Sequence, residues 1–190
     1  EGVFAKVREA IFARDANDGT TVMLQMAVTR ENAPGLEDFM AEVADWPING
    51  VAFAFYVPTV NDSSGQDWPD LRERDEVLDR VIALKRQYPD IIRSRIATLE
   101  LMKSDVAVET TGKHGENCVL RRDTQPLYMG TGGQFETPFC CYGNDVDCSR
   151  CGSYEVFNRA YLASQGQDKG ARYGRDGAAG VAAIVETAAE

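Results

Sequence analysis

Four of the five cysteines, Cys140, Cys141, Cys148 and Cys151, fall within twelve residues, and Cys118 lies 22 positions before the first of them. A thiolate cluster needs several soft ligands at one point. Cys148-Ser149-Arg150-Cys151 has the Cys-x-x-Cys spacing that presents two sulfurs to one tetrahedral metal or to the irons of a cluster. Three chemistries compete. Disulfides suit small secreted domains, but the number of cysteines is odd and a 190-residue chain can build a core without staples. Structural zinc is acceptable on these ligands, and spacing alone does not separate it from iron and sulfide. The doubled Cys140-Cys141 is unusual for a zinc ribbon. In extended backbone, adjacent side chains point opposite ways, so only one of the two is a natural ligand.

The elements that must position these thiols begin with an amphipathic helix over residues 3 to 14, carrying Val3, Phe4, Val7 and Ile11 at helical spacing and stopped by Asp15-Ala-Asn-Asp-Gly19. Thr21 to Val28 is a nearly continuous apolar run, the pattern of a strand covered on both faces. Pro34 opens a second helix with Leu36, Phe39, Met40 and Val43 on one face, and Asn32 is its expected cap. Gly50 to Val57 is another buried strand, so residues 21 to 57 form a βαβ unit with parallel strands and a right-handed crossover. The loop Asn61-Asp-Ser-Ser-Gly65 then lies at the carboxyl end of the second strand, where α/β folds place ligands.

A long helix follows from Leu71 to Tyr88, with Val77, Leu78, Val81 and Leu84 inward and Pro89 as its stop. Ile92, Ile96 and Leu99 are expected on one further helix. After about Met102 the chain turns rich in Gly, Thr, Asn and Cys, with too few apolar residues to fill a core, a deficit that a metal would make good. A helix around Tyr154 to Leu162 precedes an Ala/Gly-rich tail. The fold class is therefore α/β, with a βα array over 1–103, a small cysteine-rich extension over 104–163 and a tail over 164–190; that the array is a partial parallel (β/α) barrel and the extension metal-bound is what a resemblance to a known family implies.

The order helix, strand ending in Val28-Thr29-Arg30-Glu31-Asn32, helix, strand beginning Gly50-Val51, with a cysteine-rich extension after it, resembles the second half of a radical S-adenosylmethionine (SAM) barrel followed by a twitch or SPASM domain. That resemblance, over roughly residues 2 to 157, implies an auxiliary [4Fe–4S] cluster on Cys118, Cys141, Cys148 and Cys151, with Cys140 as the alternate to Cys141. It also implies that Thr29, Arg30 and Tyr56 contribute to the SAM pocket, and that the parent enzyme turns a 5′-deoxyadenosyl radical on its substrate. The family's catalytic Cys-x-x-x-Cys-x-x-Cys loop does not occur, because residues 1 to 117 contain no cysteine. The chain thus reads as part of a longer enzyme and is expected to be inactive alone, with open strand edges that need a partner.

Thirty acidic against twenty basic residues, a formal charge of -10, argue against nucleic acid as a partner. The longest apolar run, Val51 to Val57, is far too short to span a membrane. Expected partners are a small-molecule or peptide substrate and an electron-donor protein, in the cytoplasm, where thiols stay reduced. The alternative from another class is a non-enzymatic, zinc-stabilised protein-binding module. His114, beside Lys113 and Gly115, reads as an exposed loop residue, Arg121-Arg122 as a solvated pair, and Gly130-Thr-Gly-Gly133 as backbone wrapping the cluster.

Overall fold

The computed structural model describes residues 3–15, 19–119, 128–129, 132–136 and 145–166. Cys140, Cys141, Arg121, Arg122 and all but the first residues of the tail lie outside them. The described residues form a mixed α/β structure with six helices and a small parallel sheet.

Strand β1 (Met23–Val28) pairs in parallel with β2 (Gly50–Phe55), in a register that sets Val28 beside Phe55. Helix α2 (Leu36–Val43) makes the crossover, and its Leu36, Met40 and Val43 recur at helical spacing and are buried against the sheet. The two strands, their parallel pairing and the helix between them form where the hydrophobic pattern predicts. Asn32 is not a helix cap. Its carboxamide oxygen accepts the Thr29 amide at 2.8 Å and its Nδ2 donates to the Ala27 carbonyl at 2.9 Å, so it closes the turn leaving β1, and a 3-10 turn (Ala33–Gly35) carries Pro34 into α2. Nor is β1 covered on both faces: Met23, Gln25 and Ala27 are exposed, since among the described residues only one face of this edge strand packs against the core.

The free edge of β2 explains a second difference. The amides and carbonyls of a buried strand need partners, and residues 91–94 supply them. Val51 N–H donates to the Ile91 carbonyl at 2.8 Å, Arg93 N–H to the Val51 carbonyl at 2.7 Å, and Phe53 N–H to Ser94 Oγ at 3.1 Å, with Ile92 in a parallel bridge to Val51. Ile92 is therefore a strand residue rather than part of a helix. Helix α3 (Leu71–Gln87), capped by Asp70 accepting the Arg72 amide at 2.9 Å, thus joins β2 to a third parallel segment, repeating the β1-α2-β2 step. The described strands make an open array.

Helices α4 (Ile96–Glu100) and α5 (Ser104–Thr111) pack on α3, and α6 (Tyr154–Ser164) packs on both of them and on β2. Tyr154 Oη accepts the Arg95 amide at 2.8 Å and Asn158 Oδ1 accepts from Arg95 Nη1 at 2.7 Å, which locks α6 to the start of α4. Val156 and Phe157 of α6 and Ala107 of α5 belong to the same core as Val51, Phe53 and Phe55 of β2. Helix α5 has no counterpart in the apolar pattern, because Thr110 and Thr111 fill its buried face. A two-residue pairing of β3 (Tyr128–Met129) with β4 (Phe135–Glu136) is antiparallel.

Helix α1 (Val3–Ala13) forms as its spacing predicts, yet only Ile11 is buried, while Val3 and Phe4 are 79% and 57% exposed. It is anchored by aromatic contact instead. The Phe4 and Phe12 rings stand 5.9 and 5.6 Å from Trp46, and the Arg8 guanidinium lies over both Phe12 and Trp46. Among the described residues, no helix is long and apolar enough to cross a membrane.

Candidate metal centre

The Cys-x-x-Cys turn is built on the carboxyl end of β2. Residues 145–147 run antiparallel to 58–60, with Val60 N–H donating to the Asp145 carbonyl at 2.8 Å and Asp147 N–H to the Pro58 carbonyl at 3.0 Å. Asp147 then accepts the Ser149 amide at 3.1 Å, which caps a 3-10 turn over Cys148–Arg150. The turn ends where Gly152 meets β2: Phe55 N–H donates to the Gly152 carbonyl at 2.7 Å. A Cβ at Gly152 would stand 2.4 Å from the Tyr56 carbonyl oxygen and 2.5 Å from that of Phe55, so only glycine permits this approach.

Cys118 arrives from the other direction. Helix α5 stops at Gly112, whose φ of 79° is left-handed, and a turn through Gly115, φ 73°, is closed by Cys118 N–H donating to the Gly115 carbonyl at 3.1 Å. Cys118, Cys148 and Cys151 thereby border one cavity of about 20 Å³, with Val57, Val146 and Val156 among its apolar walls. No disulfide joins these three cysteines. Shielding from water pushes the Cys151 thiol up to about 12, and the neighbouring Cys118 and Cys148 push the same way.

Three thiols, soft donors by type, border this largely apolar pocket, each of them partly exposed. Among the described residues, no group of three or more His, Cys, Asp or Glu side chains stands so that it could hold a metal ion. The fourth ligand in the expected set, Cys141 or Cys140, lies outside those residues. His114 is exposed, with its amide donating to Glu116 Oε2 at 2.7 Å, as a loop residue should be.

Beneath the turn lies Arg74 of α3, 1% exposed. Its Nη1 donates to the carbonyls of Arg150 at 3.1 Å and Cys151 at 3.2 Å, and its Nη2 to the Met102 carbonyl at 2.9 Å. Burial lowers its pKa, opposed by the charge of Asp75. In the sequence the signal for Arg74 is its place in the inward register of Val77, Leu78 and Val81, where a cation has no reason to sit unless something buried calls for it. Gly152 carries no such signal, since nothing in a Cys-x-x-Cys-Gly string shows that a strand end will press against it.

A cleft of about 320 Å³ adjoins the turn at the carboxyl ends of the strands, lined by Arg30, Thr59, Asp62, Asp67, Asp147 and Arg150 among others. Arg150 pairs with Asp67 and donates to the Trp68 carbonyl, so the Cys-x-x-Cys turn forms one wall. Of the three residues expected in a SAM pocket, Arg30 lines this cleft, beside Gly65 at φ 72°. Thr29 is buried, its Oγ1 accepting the Asn32 amide at 3.2 Å, and Tyr56 Oη donates to Asp62 Oδ1 at 3.2 Å. Those two brace the loops that frame the cleft. Compared with protein-family models, curated proteins and solved structures, the chain matches none of them.

Proposed function

We propose that residues 104–163 form a thiolate-bound metal module, an auxiliary [4Fe–4S] cluster domain, docked on part of the (β/α) barrel of a radical SAM enzyme. The observation that carries this reading is the meeting of Cys118, Cys148 and Cys151 at one apolar cavity on the carboxyl side of a parallel strand. Two further features support it. The β-α-β step is repeated through residues 91–94, as a barrel wall requires, and the cleft beside the turn opens at the strand ends where such arrays take ligands. Cys118, Cys148, Cys151 and one of Cys140 and Cys141 would hold the cluster, which supplies one-electron transfer or an open iron. Arg30 would meet an anionic group of SAM or of a small-molecule or peptide substrate, while Thr29 and Tyr56 keep the loops in place. The catalytic cluster and the 5′-deoxyadenosyl radical belong to other parts of the parent enzyme. Thiolates of this kind and an electron-donor partner are at home in the reducing cytoplasm.

A cavity of about 20 Å³ favours a second reading, since it has room for a single ion and would have to open for a four-iron cube. That reading is a zinc-stabilised binding module. Anaerobic loading with ferrous iron and sulfide separates the two. Brown protein with about four irons and four sulfides per chain is expected; colourless protein holding one zinc would sink the iron–sulfur assignment.

A further inference from the structure

We infer that Cys148 and Cys151 are a reversible dithiol–disulfide pair, preorganised by the turn they flank to exchange with a small-molecule disulfide such as glutathione disulfide. The inference does not rest on the metal reading above. Its first support is the local backbone. Cys148–Arg150 is a 3-10 turn that ends with Cys151 N–H donating to the Cys148 carbonyl at 3.3 Å. In such a turn, residues three apart are eclipsed and each rises about 2 Å, so the two side chains leave on one side with Cα atoms about 6 Å apart. Disulfides span Cα separations of about 4.4–6.8 Å. The pair can therefore close without moving the backbone.

The surroundings hold that geometry from both ends. Asp147 caps the turn by accepting the Ser149 amide at 3.1 Å, and its own amide donates to the Pro58 carbonyl at 3.0 Å. At the far end the Gly152 carbonyl accepts from Phe55, while Arg74 Nη1 holds the carbonyls of Arg150 and Cys151 at 3.1 and 3.2 Å. The Asp75 carboxylate offsets the charge of this buried guanidinium, so the clamp does not depend on the state of the thiols. Cys148 and Cys151 are both half-buried, border the same cavity and are not joined by a disulfide. Cys118 borders it too. It arrives on a separate turn, closed by its bond to the Gly115 carbonyl, so its distance from the other two is not fixed by a shared turn.

The exchange balances. One thiol of the pair gives its proton to solvent and attacks a sulfur of glutathione disulfide, whose S–S bond breaks to release one glutathione thiolate, which takes up a proton. The second thiol then loses its proton and attacks the mixed disulfide, forming the Cys148–Cys151 bond and releasing the other glutathione. Two electrons pass from the cysteines to glutathione disulfide, and two protons end on the two glutathiones.

The test equilibrates the metal-free chain at graded ratios of glutathione to its disulfide, with and without urea, then quenches with acid, alkylates, and cuts before Asp147 and after Arg150. These cuts put Cys148 and Cys151 on separate peptides that stay joined only through a disulfide. The folded chain should close the pair at about a tenfold less oxidising ratio than the chain in urea, and Cys118→Ser should do the same. Cys148→Ser and Cys151→Ser should each stop with one glutathione on the remaining cysteine of the pair. A folded chain that keeps both thiols in excess glutathione disulfide, that joins either of them to Cys118, Cys140 or Cys141 instead, or that closes the pair no more readily than in urea, overturns the inference.

Discussion

Gly152 and Phe55 meet backbone to backbone: the amide of the last β2 residue donates to the carbonyl of the glycine that ends the Cys-x-x-Cys turn, at 2.7 Å. Through this bond the ligand turn becomes an extension of the sheet. Cys151 is one residue away, so β2 joins the loop before it in placing the thiol.

Gly152→Ala should therefore separate the turn from the sheet. The added methyl cannot avoid the carbonyls of Phe55 and Tyr56, which are backbone atoms with no rotamer to change. A loss of about 1–3 kcal/mol is expected in urea unfolding, together with a loss of bound metal. Unchanged stability would mean that the turn is not docked on β2.

Removing the cysteines one at a time reads out the ligand set. Cys118→Ala, Cys148→Ala and Cys151→Ala should each lower metal content in the loaded protein. Of the doubled pair, Cys141→Ala should lose metal and Cys140→Ala retain it; the opposite result assigns the fourth ligand to Cys140.

On the function proposed above, Arg30→Ala should weaken binding of SAM or an anionic substrate at the cleft without lowering the melting temperature. Tyr56→Phe should instead loosen the loop that Asp62 anchors, which hydrogen exchange at residues 61–66 would report. Equal effects of the two on binding would place Tyr56 on the ligand after all.

Far from the thiols, Glu37 and Arg80 bind across α2 and α3, with Arg80 Nε donating to Glu37 Oε1 at 2.9 Å. Arg80 holds the Glu37 carboxyl below its ordinary 4.5. A depressed carboxyl contributes stability that is full above the ordinary value and is lost as pH falls through the lower, folded one. Both side chains are more than a third exposed, so the contribution is at most about 0.5 kcal/mol and fades with salt. Urea unfolding of Glu37→Gln against wild type should show that difference at pH 7 and none well below pH 4.5.

Phe53 sets the scale for the core. It is fully buried and packs edge-on against Phe39, with ring centroids 6.4 Å apart. Phe53→Ala should cost about 3–5 kcal/mol in urea unfolding; a cost under 1 kcal/mol would deny β2 its central place.

Periodicity made α2, β2, α3 and α6 legible, because each buries one continuous apolar face whose spacing survives in the sequence. Residues 91–94 were not legible. A single bridge leaves no alternation to read, and Ile92 joins a sheet only because β2 has an edge to satisfy. The cysteines announced themselves by type and spacing, whereas the partners that position them did not. Gly152 is required by a contact with residues nearly a hundred positions earlier, and Arg74 serves carbonyls 28 to 77 positions away.

Among the described residues, most of what the Cys-x-x-Cys turn leans on precedes it in the chain, namely β2, residues 58–60, the Arg74 side chain and the Cys118 turn, while Val156 of α6 walls the cavity from the other side. On a ribosome, where chains form from the amino end at about 5–20 residues per second, Cys148 and Cys151 emerge after their platform has been made. The paired thiols then meet a surface already largely in place, and only α6 remains to close over them.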